Sequence, residues 1–298
     1  MKRIILILLT TVAFGSCIDE NTDGCPADML LAFYLHDDYE SGDYDSKVGN
    51  DVALYIFKDK KLSYSNIIPY SEIQGGKEYA IRKTPEIAGN LELIAWAVPL
   101  HGDNSLIPQY QIGDLFDYQF MEHAAARAEE RLAPICYDIH LGNVSSVEAI
   151  NKPTSHLINM PYAPCRVEVR IHDASGEIDA SQPDKPPHVL VSGVMSQMNL
   201  HKQGVGNPAV VKVPLSSDDG ETYATGRFGV LPSSEGQTVS VQVIGNDNVM
   251  ATLTVPENNL PKGAESGGLL IFEYALGETS FTITINDFTQ KIEIVNGI

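Results

Sequence analysis

Apolar and polar residues alternate with a period of two through most of this chain. In "RVEVRIH", residues 166–172, Val167, Val169 and Ile171 fall on one side. Arg166, Glu168, Arg170 and His172 fall on the other, the mark of a strand with one face in a core and one in water. Runs of the same kind recur as "HVLVSGVM", "AVVKVPL", "TVSVQVIG", "MATLTV", "LLIFEYAL", "SFTITI" and "KIEIV". Clusters such as "SSDDGE" and "GNDN" punctuate them as turns. Strands spaced about ten residues apart predict an all-β fold built from β-sandwiches.

The first half reads the same way with fewer runs. "DVALYIF" at 51–57 puts Val52, Leu54 and Ile56 on one face and Ala53, Tyr55 and Phe57 on the other. "GGKEYAI" has a glycine pair entering a strand. "LELIAWAV" at 91–98 is apolar on both faces after Glu92, which predicts a buried central strand containing Trp96, the only tryptophan. One stretch departs from the pattern. Residues 118–133, "YQFMEHAAARAEERLA", are helix formers, with Asp117 as N-cap and Pro134 as stop. Phe120, Ala124, Ala128 and Leu132 form one stripe, so a single short helix packed on the first domain is expected here. Three prolines in "INKPTSHLINMPYAP", 150–164, and the loss of alternation there place a domain boundary within 153–157. The expected domains are 28–155 and 156–298.

The N-terminus has a different logic. Lys2 and Arg3 precede an apolar segment of eleven residues, 4–14, and the small pair Gly15 and Ser16. This is the layout of a secretory signal peptide over residues 1–16. The apolar run falls well short of the roughly 20 residues a membrane span needs. No later stretch approaches that length. The next residue is Cys17, and the junction resembles a bacterial lipobox, with Phe14 in place of the usual aliphatic residue. That resemblance implies that Cys17 is diacylated on sulfur and becomes the first residue of the mature chain. Each buried methylene contributes about 0.8 kcal/mol, so two or more chains hold stably. Asp19, Glu20 and Asp23 follow in an acidic tether, residues 17–27, and resemble the surface-export tag of Bacteroidetes lipoproteins.

Removing residues 1–16 from 298 leaves 282, enough for two ordinary domains. The net charge of −19 opposes nucleic acid, whose phosphates it would repel. Beyond Cys17 the cysteines are Cys25, Cys136 and Cys165, with no CxxC spacing, so no zinc site is expected. An exported chain can carry one disulfide, and Cys25 with Cys136 is the pairing favoured here. The eight histidines are scattered, and there is no HExxH, no GxSxG elbow and no phosphate-cradling glycine loop. The acidic stretch 36–51 lacks the alternating oxygen ligands and closing glutamate of a calcium loop and reads as a solvated loop. Trp96 lies between Ala95 and Ala97 in an apolar strand and reads as core rather than as a sugar platform. No catalytic residue, metal or cofactor is expected.

An ordered series of segments resembles one family, the anchor subunits of Bacteroidetes fimbriae. The series runs "GCPADMLLAFYL", "VALYIFKDKKLSYS", "EIAGNLELIAWA", "FGVLPSSEGQTVSVQVIGNDNVMATLTV" and "FTITINDFTQKIEIVNGI". It departs from the family at Lys58, where an acidic residue is usual, and at Ile298, where an aromatic is usual. The resemblance implies two transthyretin-like β-sandwich domains on a lipoprotein that fixes a fimbria to the outer membrane, facing outward. Its partner would be a fimbrillin-type shaft subunit, joined by strand addition. An anchor keeps its N-terminus, because the lipid is there. The strand around Met29–Leu35 should therefore stay in place, leaving Lys291, Ile292, Glu293, Ile294, Val295 and Asn296, within the C-terminal segment 291–298, to meet the next subunit.

Two other readings share parts of this pattern. A surface glycan-binding lipoprotein of a polysaccharide-utilisation system would have the same leader and β-sandwiches, but needs two or three exposed rings on one face. A processed shaft or tip subunit needs a basic cleavage site ahead of the first domain, and residues 18–46 contain neither lysine nor arginine.

Overall fold

The computed structural model describes residues 25–36, 50–99, 111–114, 120–122, 132–133, 139–179, 184–256, 263–286 and 288–293. The first half contains β1 (Asp28–His36), β2 (Asn50–Lys58), β3 (Lys61–Ile68), α1 (Tyr70–Ile73), β4 (Tyr79–Arg82) and β5 (Gly89–Pro99). β6 (Phe120–Glu122), β7 (Leu132–Ala133), β8 (His140–Glu148) and β9 (Thr154–Pro161) follow. The second half contains β10 (Cys165–His172), β11 (His188–Asn199), β12 (Gly204–Pro214), β13 (Thr222–Ala224) and β14 (Phe228–Val230). It ends with β15 (Ser240–Gly245), β16 (Asn248–Thr254), β17 (Leu269–Ala275), β18 (Ser280–Ile285) and β19 (Phe288–Glu293).

Two sheets make the first module, ordered β3-β2-β5-β8 and β4-β1-β9. The inward residues of β2, Val52, Leu54 and Ile56, meet Met29 and Leu31 of β1 and Ile158 and Met160 of β9 in one apolar core. The alternating partners Ala53, Tyr55 and Phe57 are buried as well, on the opposite face of the sheet. There they join Ile94, Trp96 and Leu141 against Met198, Leu200 and Leu231 of the second module. A strand whose two alternating sets are both apolar is thus used on both sides, and the modules share a core at this seam.

The second module pairs the sheet β13-β10-β17-β18-β19 with β16-β15-β11-β12-β7. Val167, Val169 and Ile171 point into its core with Val189, Val191, Val241, Val243, Phe272 and Ile283, as the alternation predicts. The other face of β10 departs from expectation, because Arg166 and Glu168 are buried rather than open to water. β10 lies inside its sheet, so neighbouring side chains cover that face. The Arg166 guanidinium stacks 3.8 Å from the Tyr162 ring centroid. Glu168 accepts from Arg170 Nε at 2.6 Å and from Arg227 Nε at 3.2 Å.

The class is all-β, and both described pieces of the stretch where a helix is expected are short strands. The α-helix among the described residues is Tyr70–Ile73, and a 3-10 turn follows at Pro85–Ile87. Within 118–133, Phe120–Glu122 pairs antiparallel with Gln197–Asn199 of β11, and Leu132–Ala133 pairs parallel with Val210–Val211 of β12. The rest of that stretch lies outside the described residues. Helix propensity is a weak prior. At Phe120–Glu122 and Leu132–Ala133 the backbone groups of β11 and β12 pair with the chain as strand. The boundary expected between 155 and 156 falls inside β9, which pairs with β1 along its length.

Asp59 and Lys60, at φ 50° and 66°, form the two-residue turn between β2 and β3, the left-handed geometry that tight hairpins require. Asn246 and Asp247, at 52° and 65°, do the same between β15 and β16. Gly142 marks a close approach of β8 to β9. A Cβ there would sit 2.3 Å from the Asn159 carbonyl oxygen and 2.9 Å from Ile158 Cγ2 and Met160 Cγ. Gly142→Ala is therefore expected to lower stability by about 1–3 kcal/mol through overpacking, read as a drop in denaturant midpoint at unchanged m-value.

Candidate functional site

Two places in the fold hold the segments singled out in the sequence: the entry of the N-terminal strand and the last strand, β19. β1 is the middle strand of its sheet, antiparallel to β4 on one side and parallel to β9 on the other. Met29 and Leu31 are fully buried beneath it. The chain just before β1 is tied on both its backbone groups. Ala27 N–H donates to the Ile150 carbonyl at 2.8 Å, and the Ala27 carbonyl accepts from Lys83 N–H at 3.0 Å.

Beside that entry lies a buried charged cluster. Lys83, just past β4, is fully buried and Glu148, at the end of β8, nearly so. Lys83 Nζ lies 2.5 Å from Glu148 Oε2 and donates to the Ala149 and Lys152 carbonyls at 3.2 and 2.6 Å. Glu148 also accepts from Ser146 Oγ at 2.8 Å, Thr154 Oγ1 at 2.7 Å and His156 Nε2 at 2.6 Å. Burial alone would raise the Glu148 carboxyl, but the hydrogen bonds from Lys83, Thr154, Ser146 and His156 outweigh it and hold the group down at about 2. The cluster joins β4, the β8–β9 turn and the start of β9 at the point where β1 enters. The outlying ion pair Arg82–Asp28, 3.1 Å and solvent-exposed, adds little by comparison.

At the other end, β19 pairs with β18 from Phe288↔Ile285 to Glu293↔Ser280 and ends its sheet. Lys291 is exposed, and Ile292 packs partly against the second core. Phe288 is 66% exposed. Among the described residues no strand pairs with the other side of β19, and an edge of that kind can template another strand. Of the expected subunit-contact residues, Lys291, Ile292 and Glu293 lie in this strand, and Ile294, Val295 and Asn296 lie outside the described residues.

Cys17, Asp19, Glu20 and Asp23 also lie outside the described residues. Cys25 is exposed with a free thiol, and Cys136 lies outside the described residues. Cys165 is buried, and burial pushes its thiol up to about 12, which leaves it unreactive. Trp96 is fully buried in the shared core. Among the described residues the strongly exposed aromatics are Tyr34 and Phe288, on different modules, so they make no common ring platform. Among the same residues no three His, Cys, Asp or Glu side chains gather as metal ligands, and no helix is long and apolar enough to cross a membrane. The Lys83–Glu148 cluster is what sequence reasoning missed. Nothing local in "AIRK" ties it to "VEAINKPTSH".

A family profile described as "Fimbrillin-A associated anchor proteins Mfa1 and Mfa2" matches residues 22–293. A search of curated proteins finds no match. Among solved structures, a candidate polysaccharide-binding protein from Bacteroides thetaiotaomicron superposes with a TM-score of 0.63 at 12% identity, over 90% of this chain and 98% of that one. The fimbrial anchor protein Mfa2 from Porphyromonas gingivalis does so with a TM-score of 0.57 at 15% identity, over 89% and 99%. A candidate adhesin from Bacteroides ovatus gives 0.58 at 10%, over 90% and 95%. At these identities the superpositions speak for the fold alone. The profile match spans nearly the whole chain, and the chain belongs to the family of fimbrillin-A-associated anchor proteins.

Proposed function

We propose that this chain is a non-enzymatic surface lipoprotein that fixes a fimbria to the outer membrane and forms the filament's terminus. Residues 1–16 are the leader, Cys17 carries the lipid, and Asp19, Glu20 and Asp23 mark the chain for the outer face. The two modules divide after β9, the first running through Pro161 and the second from Cys165. A fimbrillin-type shaft subunit adds a strand along β19 and the residues that follow it, through Asn296.

The observation that carries this reading is the position of β1. It is the central strand of its sheet, and Ala27, just ahead of it, is bonded to the β8–β9 turn beside the Lys83–Glu148 cluster. A strand so placed keeps its own groove filled, and residues 18–46 give a trypsin-like processing enzyme nothing to cut. At the opposite end of the chain, β19 is the terminal strand of its sheet among the described residues.

Deleting residues 291–298 is expected to release filaments from the cell surface while the truncated protein stays in the outer membrane. Filaments that remain attached at normal length would overturn the docking assignment. Mass spectrometry of the native protein is expected to find an acylated N-terminus at Cys17. An unmodified end, or one well downstream, would remove the membrane attachment from the proposal.

A further inference from the structure

We propose that the fold carries tension along the chain, with its parallel strand pairs loaded in shear. The load follows from the anchoring role proposed above; the strand geometry does not depend on it. A protein held to a membrane by its N-terminal segment and to a filament by its C-terminal edge is pulled at both ends. Load enters the first module at Ala27, where β1 begins. It leaves past Pro161, where β9 ends and the short link through Pro164 leads into β10.

β1 and β9 run parallel and in register from Met29↔Thr154 to His36↔Pro161. In a parallel pair, the start of one strand and the end of the other lie at opposite ends of the ladder. Tension between those points slides β1 along β9, so the hydrogen bonds across the pair are strained together. An antiparallel β9 would bring both attachment points to the same end, and the ladder would open one bond at a time.

The second module repeats the arrangement. Load enters at Cys165, the start of β10, and β17 lies parallel to β10 from Arg166↔Leu269 to His172↔Ala275. β18 is antiparallel to β17, and β19 is antiparallel to β18, so β19 runs in the direction of β10. Glu293 is in register with Ser280, at the His172 end of the sheet, far from the Cys165 end. Both modules are therefore crossed from one end of a sheet to the other.

The charged cluster stands where the first ladder is loaded. Ala27 is bonded to Ile150 and Lys83. Glu148 holds Thr154 and His156 at the start of β9. The first slip of β1 must break the two Ala27 bonds as well as the ladder, while the Glu148 contacts hold the facing end of β9 in place. Forced unfolding is set by the barrier to such a slip rather than by equilibrium stability.

The geometry is tested by pulling one folded chain in two directions. The chain from residue 17 carries Cys17→Ser and Cys136→Ser, so that the exposed Cys25 takes the first handle and the buried Cys165 stays unlabelled. A second handle at the C-terminus loads both modules in shear. A second handle at Lys152→Cys, an exposed position just before β9, loads the β1–β9 pair from its starting end. A several-fold higher rupture force with the C-terminal handle, at equal loading rate and equal thermal midpoint, is the expected result. Equal forces in the two directions would overturn the inference, and would leave the anchor reading to the deletion and lipidation experiments above.

Discussion

Lys83→Met is expected to lower the unfolding free energy by about 3–5 kcal/mol, because it leaves the Glu148 carboxylate buried without its cation. Glu148→Gln should cost a similar amount by stranding the ammonium among two carbonyls. The double variant Lys83→Met, Glu148→Leu removes both charges and keeps the volume, and it should recover most of the loss. Urea unfolding of the wild type, Lys83→Met, Glu148→Leu and the double variant closes the cycle. A single-variant cost below about 1 kcal/mol would mean that water reaches the pair and that the cluster does not lock the entry of β1.

The same carboxylate makes the lock sensitive to acid. Its folded value, about 2, lies below the ordinary 4.5. A group lowered in this way contributes its full stabilisation above the unfolded value and loses it as the pH falls toward the folded one. The difference in stability between the wild type and Glu148→Gln should therefore be constant above pH 4.5 and shrink between 4.5 and 2. A difference that grew on acidification would contradict the geometry of the cluster.

Much of this fold is legible in the chain because a half-buried strand writes its own pattern. Val167, Val169 and Ile171 could be assigned to a core from alternation alone, and Trp96 to an interior from its alanine neighbours. The turn at Asn246–Asp247, within "GNDN", needed only its polar residues between two apolar runs. What alternation cannot carry is which strand lies beside which. The parallel pairing of β1 with β9 joins segments far apart in sequence, and the physical reason for it, a shared core beneath Met29, Leu31, Ile158 and Met160, exists only once the chain is folded. Within the stretch 118–133, Phe120–Glu122 shows a second reason: helix propensity is worth fractions of a kcal/mol per residue, less than the backbone hydrogen bonds these three residues gain along β11. The anchoring cluster was invisible for a third reason: lysine, glutamate and histidine are ordinary surface residues until a fold buries them together.

Trp96→Ala is expected to cost about 3–5 kcal/mol, as for truncation of a large buried aromatic, and its effect should be felt at the seam between the modules. Trp96 is fully buried and packs with Tyr55, Phe57 and Leu141 of the first module and Met198, Leu200 and Leu231 of the second. That common core couples the two halves, so the wild type should unfold in one calorimetric transition. Removing the indole leaves a cavity on the surface they share, and the variant should unfold in two. The indole Nε1 has no hydrogen-bond acceptor among the described residues, so Trp96→Phe keeps most of the apolar contact while discarding an unpaired donor, and should be the milder change. Because Trp96 is the only tryptophan, wild-type fluorescence reports this seam directly. Its emission should shift to the red together with the loss of β-sheet circular dichroism. A red shift well ahead of that loss would show the modules parting before either unfolds, and would break the coupling that the shared core requires.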